Sequence, residues 1–173
     1  MKILIYKSIC FLLTAIFLTF IAADSAQAQT EKEVVKIRAE VAAINKGISK
    51  YTKTTKDVED VSLEGTEATY YHSAKVLKKI TAKMFGETYN ATSEFYYSNG
   101  ELIFAFVKRN RYDTQVGMDA PPKVVSSEEQ RFYFAGGELI RMLIGKKELK
   151  SGSEKYSELK DEIIDISGKL KDS

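Results

Sequence analysis

Two phrases thirty-seven residues apart, FYYSNGELIF at Phe95–Phe104 and FYFAGGELIR at Phe132–Arg141, carry Phe, Tyr, Gly, Glu, Leu and Ile at matching places. Each has aromatic and apolar residues on both sides of a short Asn-Gly or Gly-Gly centre, the pattern of a β-hairpin whose turn needs positive φ. The segment YYHSAKVL aligns with FYYSNGEL at an offset of 25, which suggests a third, degenerate copy with Ala74 and Lys75 at the turn. Those two residues suit a two-residue turn less well, so a wider loop is expected there. A chain that repeats a hairpin is committed to an antiparallel meander, because each copy leaves an edge that the next can pair with.

Counting outward from Asn99-Gly100 pairs Tyr97 with Leu102, Phe95 with Phe104 and Ser93 with Phe106, and places these on the core face. Tyr96, Ile103, Glu94 and Ala105 fall on the other. The same count in the second copy pairs Phe134 with Leu139 and Phe132 with Arg141, which puts Arg141 near the rim of the sheet. Strands are expected from Thr66 to Leu149, about six in all.

Helices flank this region. From Thr30 to Ile48 the apolar residues Val34, Ile37, Val41, Ile44 and Ile48 recur at three and four. A second stripe, Tyr156, Leu159, Ile163, Ile166 and Leu170, lies in Ser153–Lys171 behind a capping box of Ser151 and Glu154. The polar stretch Lys50–Gly65 reads as a connector and Lys108–Glu129 as a long loop holding the two prolines, Pro121 and Pro122. The expected fold class is α+β: a curved antiparallel meander with an N-terminal and a C-terminal amphipathic helix packed on it, in one domain spanning residues 29–173.

Ahead of it lies an export signal: Lys2 and Lys7, the apolar run Ile9–Ile21, and Ala26-Gln27-Ala28 as a cleavage site. The run is shorter than the roughly 20 residues of a membrane-spanning helix, so no stable anchor is expected after cleavage behind Ala28. Cleavage removes Cys10, the only cysteine, together with Lys2, Lys7 and Asp24, and takes the net charge from +2 to +1. A chain so close to neutral lacks the basic excess that grips nucleic-acid phosphates. It is expected in the periplasm or outside the cell.

Residues for chemistry are few. His72 is the only histidine, so a multi-histidine metal site is excluded and, without cysteine, so is structural zinc. His72 reads either as a general base or as a polar-tipped ring replacing an aromatic. No G-x-S-x-G, Walker or dinucleotide fingerprint occurs, and Glu101 and Glu138 repeat each other as turn residues. No catalytic residue, metal ligand or cofactor is assigned. Two polar features stand out as possible partner-binding surfaces. One is Lys108, Arg109, Arg111 and Tyr112, at the mouth of the long loop, where alternating basic and aromatic groups could hold an anionic ligand, a glycan or a partner's acidic surface, or simply protect a strand edge. The other is a tyrosine strip, Tyr71, Tyr96 and Tyr133, which is either an exposed binding face or covered by a helix.

The aromatic pair, glycine turn and Leu-Ile of the hairpin phrase, with the order signal, helix, sheet, helix, resemble a group of uncharacterised exported bacterial proteins. They are weakly similar to the aromatic-glycine hairpins of MORN-type repeats. The resemblance implies a β-meander and carries over no functional residue. The leading expectation is a non-enzymatic exported protein that binds a protein or glycan in the cell envelope. The alternatives are a small inhibitor that inserts Asp113–Ser127 into an envelope or host hydrolase, and a hydrolase built on carboxylates and His72.

Overall fold

The computed structural model describes residues 27–118 and 120–173; most of the stretch expected to be an export signal, residues 1–26, lies outside them. Two compact units divide the chain between Lys36 and Ile37. Residues 27–47 are helical (α1) and run into a single 3-10 turn, Ile48–Lys50. Within the first unit, Glu33 accepts hydrogen bonds from Gln29 and Lys36, both at 2.9 Å. Among the described residues no helix is long and apolar enough to cross a membrane.

The second unit holds eight strands: β1 Thr52–Val58, β2 Thr66–Ser73, β3 Val76–Gly86, β4 Tyr89–Ser98, β5 Glu101–Tyr112, β6 Val124–Ala135, β7 Glu138–Ile144 and β8 Lys147–Glu148. They form one antiparallel sheet in strict sequence order. The α+β meander is therefore as expected, with two strands more. The stretch Lys50–Gly65 is not all connector, since β1 occupies its middle as an edge strand. Only Val58 of β1 is buried, so it has no apolar alternation to announce it. Likewise β5 runs on to Tyr112 and β6 starts at Val124, which cuts the long loop to residues 113–123.

All three hairpin copies share one geometry. The turns Ala74-Lys75, Asn99-Gly100 and Gly136-Gly137 each hold both residues at positive φ, 46° and 70°, 50° and 83°, and 57° and 79°. This is the type I′ pattern, which matches the right-handed twist of the strands. The first copy thus makes the same tight turn without glycine, where a wider loop was expected. Each copy then carries a β-bulge three residues past the turn: pairing passes from Tyr71↔Lys79 to His72↔Leu77, from Tyr96↔Phe104 to Tyr97↔Leu102, and from Tyr133↔Arg141 to Phe134↔Leu139. Lys78, Ile103 and Ile140 are the extra residues.

The bulge corrects the counted register. Beyond it Phe95 faces Ala105 rather than Phe104, Ser93 faces Val107 rather than Phe106, and Phe132 faces Met142 rather than Arg141. Because side chains alternate with period two, one inserted residue exchanges the faces of everything that follows on its strand. Phe104 leaves the predicted core face and Ala105 joins it.

The resulting registers line up residues in rows across the sheet. One row, Tyr70, Ile80, Phe95, Ala105, Phe132 and Met142, is buried throughout. It joins one apolar cluster with Leu159, Ile163, Ile166 and Leu170 of the C-terminal helix α2, Glu154–Asp172. Burying those four helix side chains contributes about 6–12 kcal/mol as an upper estimate. Polar pins fix the helix in place: Tyr97 Oη and Ser167 Oγ lie 2.9 Å apart, and Tyr70 Oη donates to the Leu170 carbonyl at 2.8 Å. The helix is capped by Ser153, whose Oγ accepts from the Tyr156 N–H at 3.2 Å, rather than by Ser151.

The neighbouring row, Tyr71, Lys79, Tyr96, Phe104, Tyr133 and Arg141, points to the opposite face. Lys79, Tyr96, Tyr133 and Arg141 are buried, Arg141 despite the rim position expected for it. Residues 37–47 of α1 reach this row through Arg38 and Asn45. In the second and third copies the tyrosine before the bulge, Tyr96 or Tyr133, meets residues 37–47, while its neighbours Phe95, Tyr97, Phe132 and Phe134 join the cluster with α2.

Candidate functional site

A meander sorts its connections onto two ends of the sheet. The three repeated turns, at 74–75, 99–100 and 136–137, share one end, and two-residue turns offer little surface for recognition. The connections 59–65, 87–88 and 113–123 share the other, and irregular chain on a rigid scaffold is where binding groups concentrate.

These connections at the loop end are laced together. The Glu64 N–H donates to the Phe85 carbonyl and the Phe85 N–H to the Gly65 carbonyl, both at 3.1 Å. The Tyr112 N–H reaches the Thr88 carbonyl and the Val116 N–H the Glu87 carbonyl, both at 2.8 Å. Gln115 Nε2 donates to Glu87 Oε2 at 2.9 Å. The loop 113–123 is closed at its base by Asp113, whose Oδ1 accepts from the Lys123 N–H at 2.8 Å. With its backbone so held, this end still exposes Leu63 (88%), Val116 (59%), Met118 (62%) and Phe85 (44%).

Between the connections lies a cleft of about 370 Å³, lined by Glu64, Phe85, Gly86, Glu87, Tyr89, Tyr112, Gln115 and Val116. A second, open hollow of about 740 Å³ shares Tyr89 and adds Glu59, Asp60, Ser62, Leu63 and Lys169. Gly86 is what admits Tyr89: a Cβ at residue 86 would stand 2.2 Å from Tyr89 Cε1, so only glycine lets the ring cross the backbone there. The guanidinium of Arg109 sits 5.5 Å from the Tyr89 ring centroid and binds Glu162 of α2 at 2.5 Å, which steadies the cleft wall. The lining carries two carboxylates, Glu64 and Glu87, aromatic rings and no basic side chain. Such a surface favours a cation with an apolar stem.

The residues singled out in the sequence scatter across the sheet. Tyr96 and Tyr133 are 2% and 3% exposed and meet Asn45 and Arg38, so these two tyrosines form no open face; Tyr71 is half-buried. Lys108, Arg109, Arg111 and Tyr112 stand on β5, an interior strand paired on both sides, and so guard no edge. Of these only Tyr112 lines the cleft. His72 pairs with Thr52 and Leu77 in the sheet, away from the carboxylates of the loop end. Tyr89, Glu64 and Glu87 went unnoticed in the sequence. The available signal was Gly86, next to an apolar strand end and three residues before a tyrosine.

Beside residues 37–47 lies a buried ionic cluster centred on Lys79. Lys79 Nζ donates to Glu94 Oε2 at 2.8 Å, Tyr96 Oη at 2.9 Å and Asn45 Oδ1 at 3.1 Å, and Tyr96 also donates to Glu94. Burial alone presses the Lys79 pKa down, but its hydrogen bonds to Glu94 and Tyr96 outweigh this and hold it above its ordinary value. Burial pushes Glu94 up, yet Lys79 and Tyr96 bring it below the usual carboxylate range. Tyr96 is raised, chiefly by burial and then by Glu94. All three groups satisfy one another, so this cluster is a strut between helix and sheet.

Among the described residues no group of three or more His, Cys, Asp or Glu is placed to hold a metal ion. In comparisons with family models, curated proteins and solved structures, the chain matches none.

Proposed function

We propose that this is an exported, non-enzymatic binding protein, and that it docks a basic, apolar segment of an envelope protein at the loop end of its sheet. The observation that supports this most strongly is the juxtaposition of exposed Leu63, Phe85, Val116 and Met118 with a cleft whose only charged lining groups are Glu64 and Glu87. Exposed apolar side chains beside a preformed, charged cleft mark interaction sites in soluble proteins. A lysine or arginine entering the cleft meets aromatic rings and two carboxylates, while its neighbours cover the apolar side chains.

Calorimetry with a short peptide holding one lysine between leucines, and with its glutamate counterpart, tests this reading. The lysine peptide should bind, the glutamate peptide should not, and Glu64→Gln with Glu87→Gln should weaken binding about tenfold or more. Gly86→Ala should also weaken it by displacing Tyr89. Equal binding of the two peptides, or preference for a neutral oligosaccharide, would overturn the assignment of a basic protein partner. The exposed loop 113–123 also fits insertion into a hydrolase cleft. Deleting Gly117–Pro122 would then abolish inhibition while leaving the sheet folded.

A further inference from the structure

On the face that residues 37–47 reach, two cations stand over tyrosines of the row, Lys79 at Tyr96 and Arg38 at Tyr133. The buried Lys79 has a carboxylate, a phenol and an amide for its protons. Over Tyr133, from the helix side, the cation is Arg38. Its Cζ lies 5.5 Å from the Tyr133 ring centroid, and its Nε reaches Tyr133 Oη only at 3.4 Å, a long and weak contact. No carboxylate lies within ion-pair distance of Arg38 among the described residues.

Beside Arg38 is a cavity of about 250 Å³ between residues 37–47 and the sheet. Its walls are Phe104 and Tyr133, whose rings pack at 4.9 Å and 53°, with Val41, Ala42 and Asn45 on the helix side. An arginine at the mouth of an apolar cavity is half of a recognition device. The guanidinium presents paired donors that match a carboxylate, and the rings accept the rest of the molecule. At roughly 30 Å³ per water-sized group, the space takes about eight such groups, a small ligand.

We infer that this cavity binds a small monocarboxylate with an aromatic or branched apolar body, its carboxylate on Arg38 and its body against Phe104 and Tyr133. The same geometry disfavours inorganic phosphate, which has no apolar part to bury, and neutral analogues, which forgo the charge-assisted contact with the guanidinium.

Benzoate, benzyl alcohol and inorganic phosphate, titrated separately and followed by amide chemical shifts, are the test. Benzoate is expected to bind, with shifts at residues 38–45, 104 and 133, and about tenfold or more tighter than either of the others, as a charge-assisted contact requires. Arg38→Gln should remove that preference. Ala42 is exposed at the cavity wall, so Ala42→Phe should close the cavity and abolish benzoate binding in a protein that keeps its fold, whatever Arg38→Gln does to stability. Equal binding of benzoate and benzyl alcohol, equal binding of phosphate, or benzoate binding unchanged by Ala42→Phe would overturn the inference.

Discussion

The turn at Ala74-Lys75 gives a sharp test of the threefold hairpin. Both residues sit in the left-handed region, at φ 46° and 70°, without the glycine or asparagine of the other copies. A non-glycine residue pays roughly 1–2 kcal/mol for that conformation, and asparagine and glycine adopt it more readily. Glycine gives back roughly 0.5–1 kcal/mol through the greater freedom of the unfolded chain. Ala74→Asn together with Lys75→Gly should therefore stabilise the protein by about 1 kcal/mol, a rise in Tm of roughly 3–5 °C for a chain of this size. The reciprocal pair, Asn99→Ala with Gly100→Lys, should destabilise it by at least as much. Urea unfolding followed by circular dichroism reads both as a shift in midpoint at constant slope. A loss of stability on introducing Asn-Gly at 74–75 would refute the two-residue turn.

Three further outcomes are expected. Tyr97, pushed up to about 12 by burial, should ionise last in an alkaline ultraviolet titration; its contribution to stability is complete below pH 10 and lost between 10 and about 12, and Tyr97→Phe should remove that late step and cost about 1–2 kcal/mol by stranding Ser167. The carboxyl of Glu94 is held below its ordinary value, so it stabilises the fold above its unfolded pKa and ceases to do so as pH falls through the folded one; Glu94→Gln should flatten the acid limb of a stability-against-pH curve, and an unaltered limb would show that the Lys79 strut is not formed. Expressed with its full leader in a bacterium, the protein should be recovered outside the cytoplasm with Gln29 as its first residue by N-terminal sequencing, and a cytoplasmic product that begins at Met1 would contradict export.

The repeat was legible because both its good copies carry glycine at a turn and aromatics at fixed distances from it. That was enough to order the strands and to pair Tyr97 with Leu102 and Phe134 with Leu139. It was not enough to carry the count past the bulge. Ile103 and Ile140 look like any other strand residue, and nothing in an alternating pattern marks the one that lacks a partner. Phe104 and Arg141 were therefore placed on the wrong strand face or at the wrong depth. The strand β1 was hidden for a different reason. An edge strand with solvent on most of its side chains can be built from Thr, Lys and Asp, and the ladder to β2 supplies what apolar alternation would otherwise announce. The cleft is assembled from three connections far apart in the chain, and only the meander brings Glu64, Glu87 and Tyr112 together.

The most direct test of the loop end as the binding surface is amide chemical-shift mapping of the isotope-labelled protein against the lysine-leucine peptide. Shifts are expected at residues 62–65, 85–89 and 112–117, with the turns at 74–75, 99–100 and 136–137 unmoved. Shifts confined to those three turns, or absent from residues 85–89 at saturation, would contradict it.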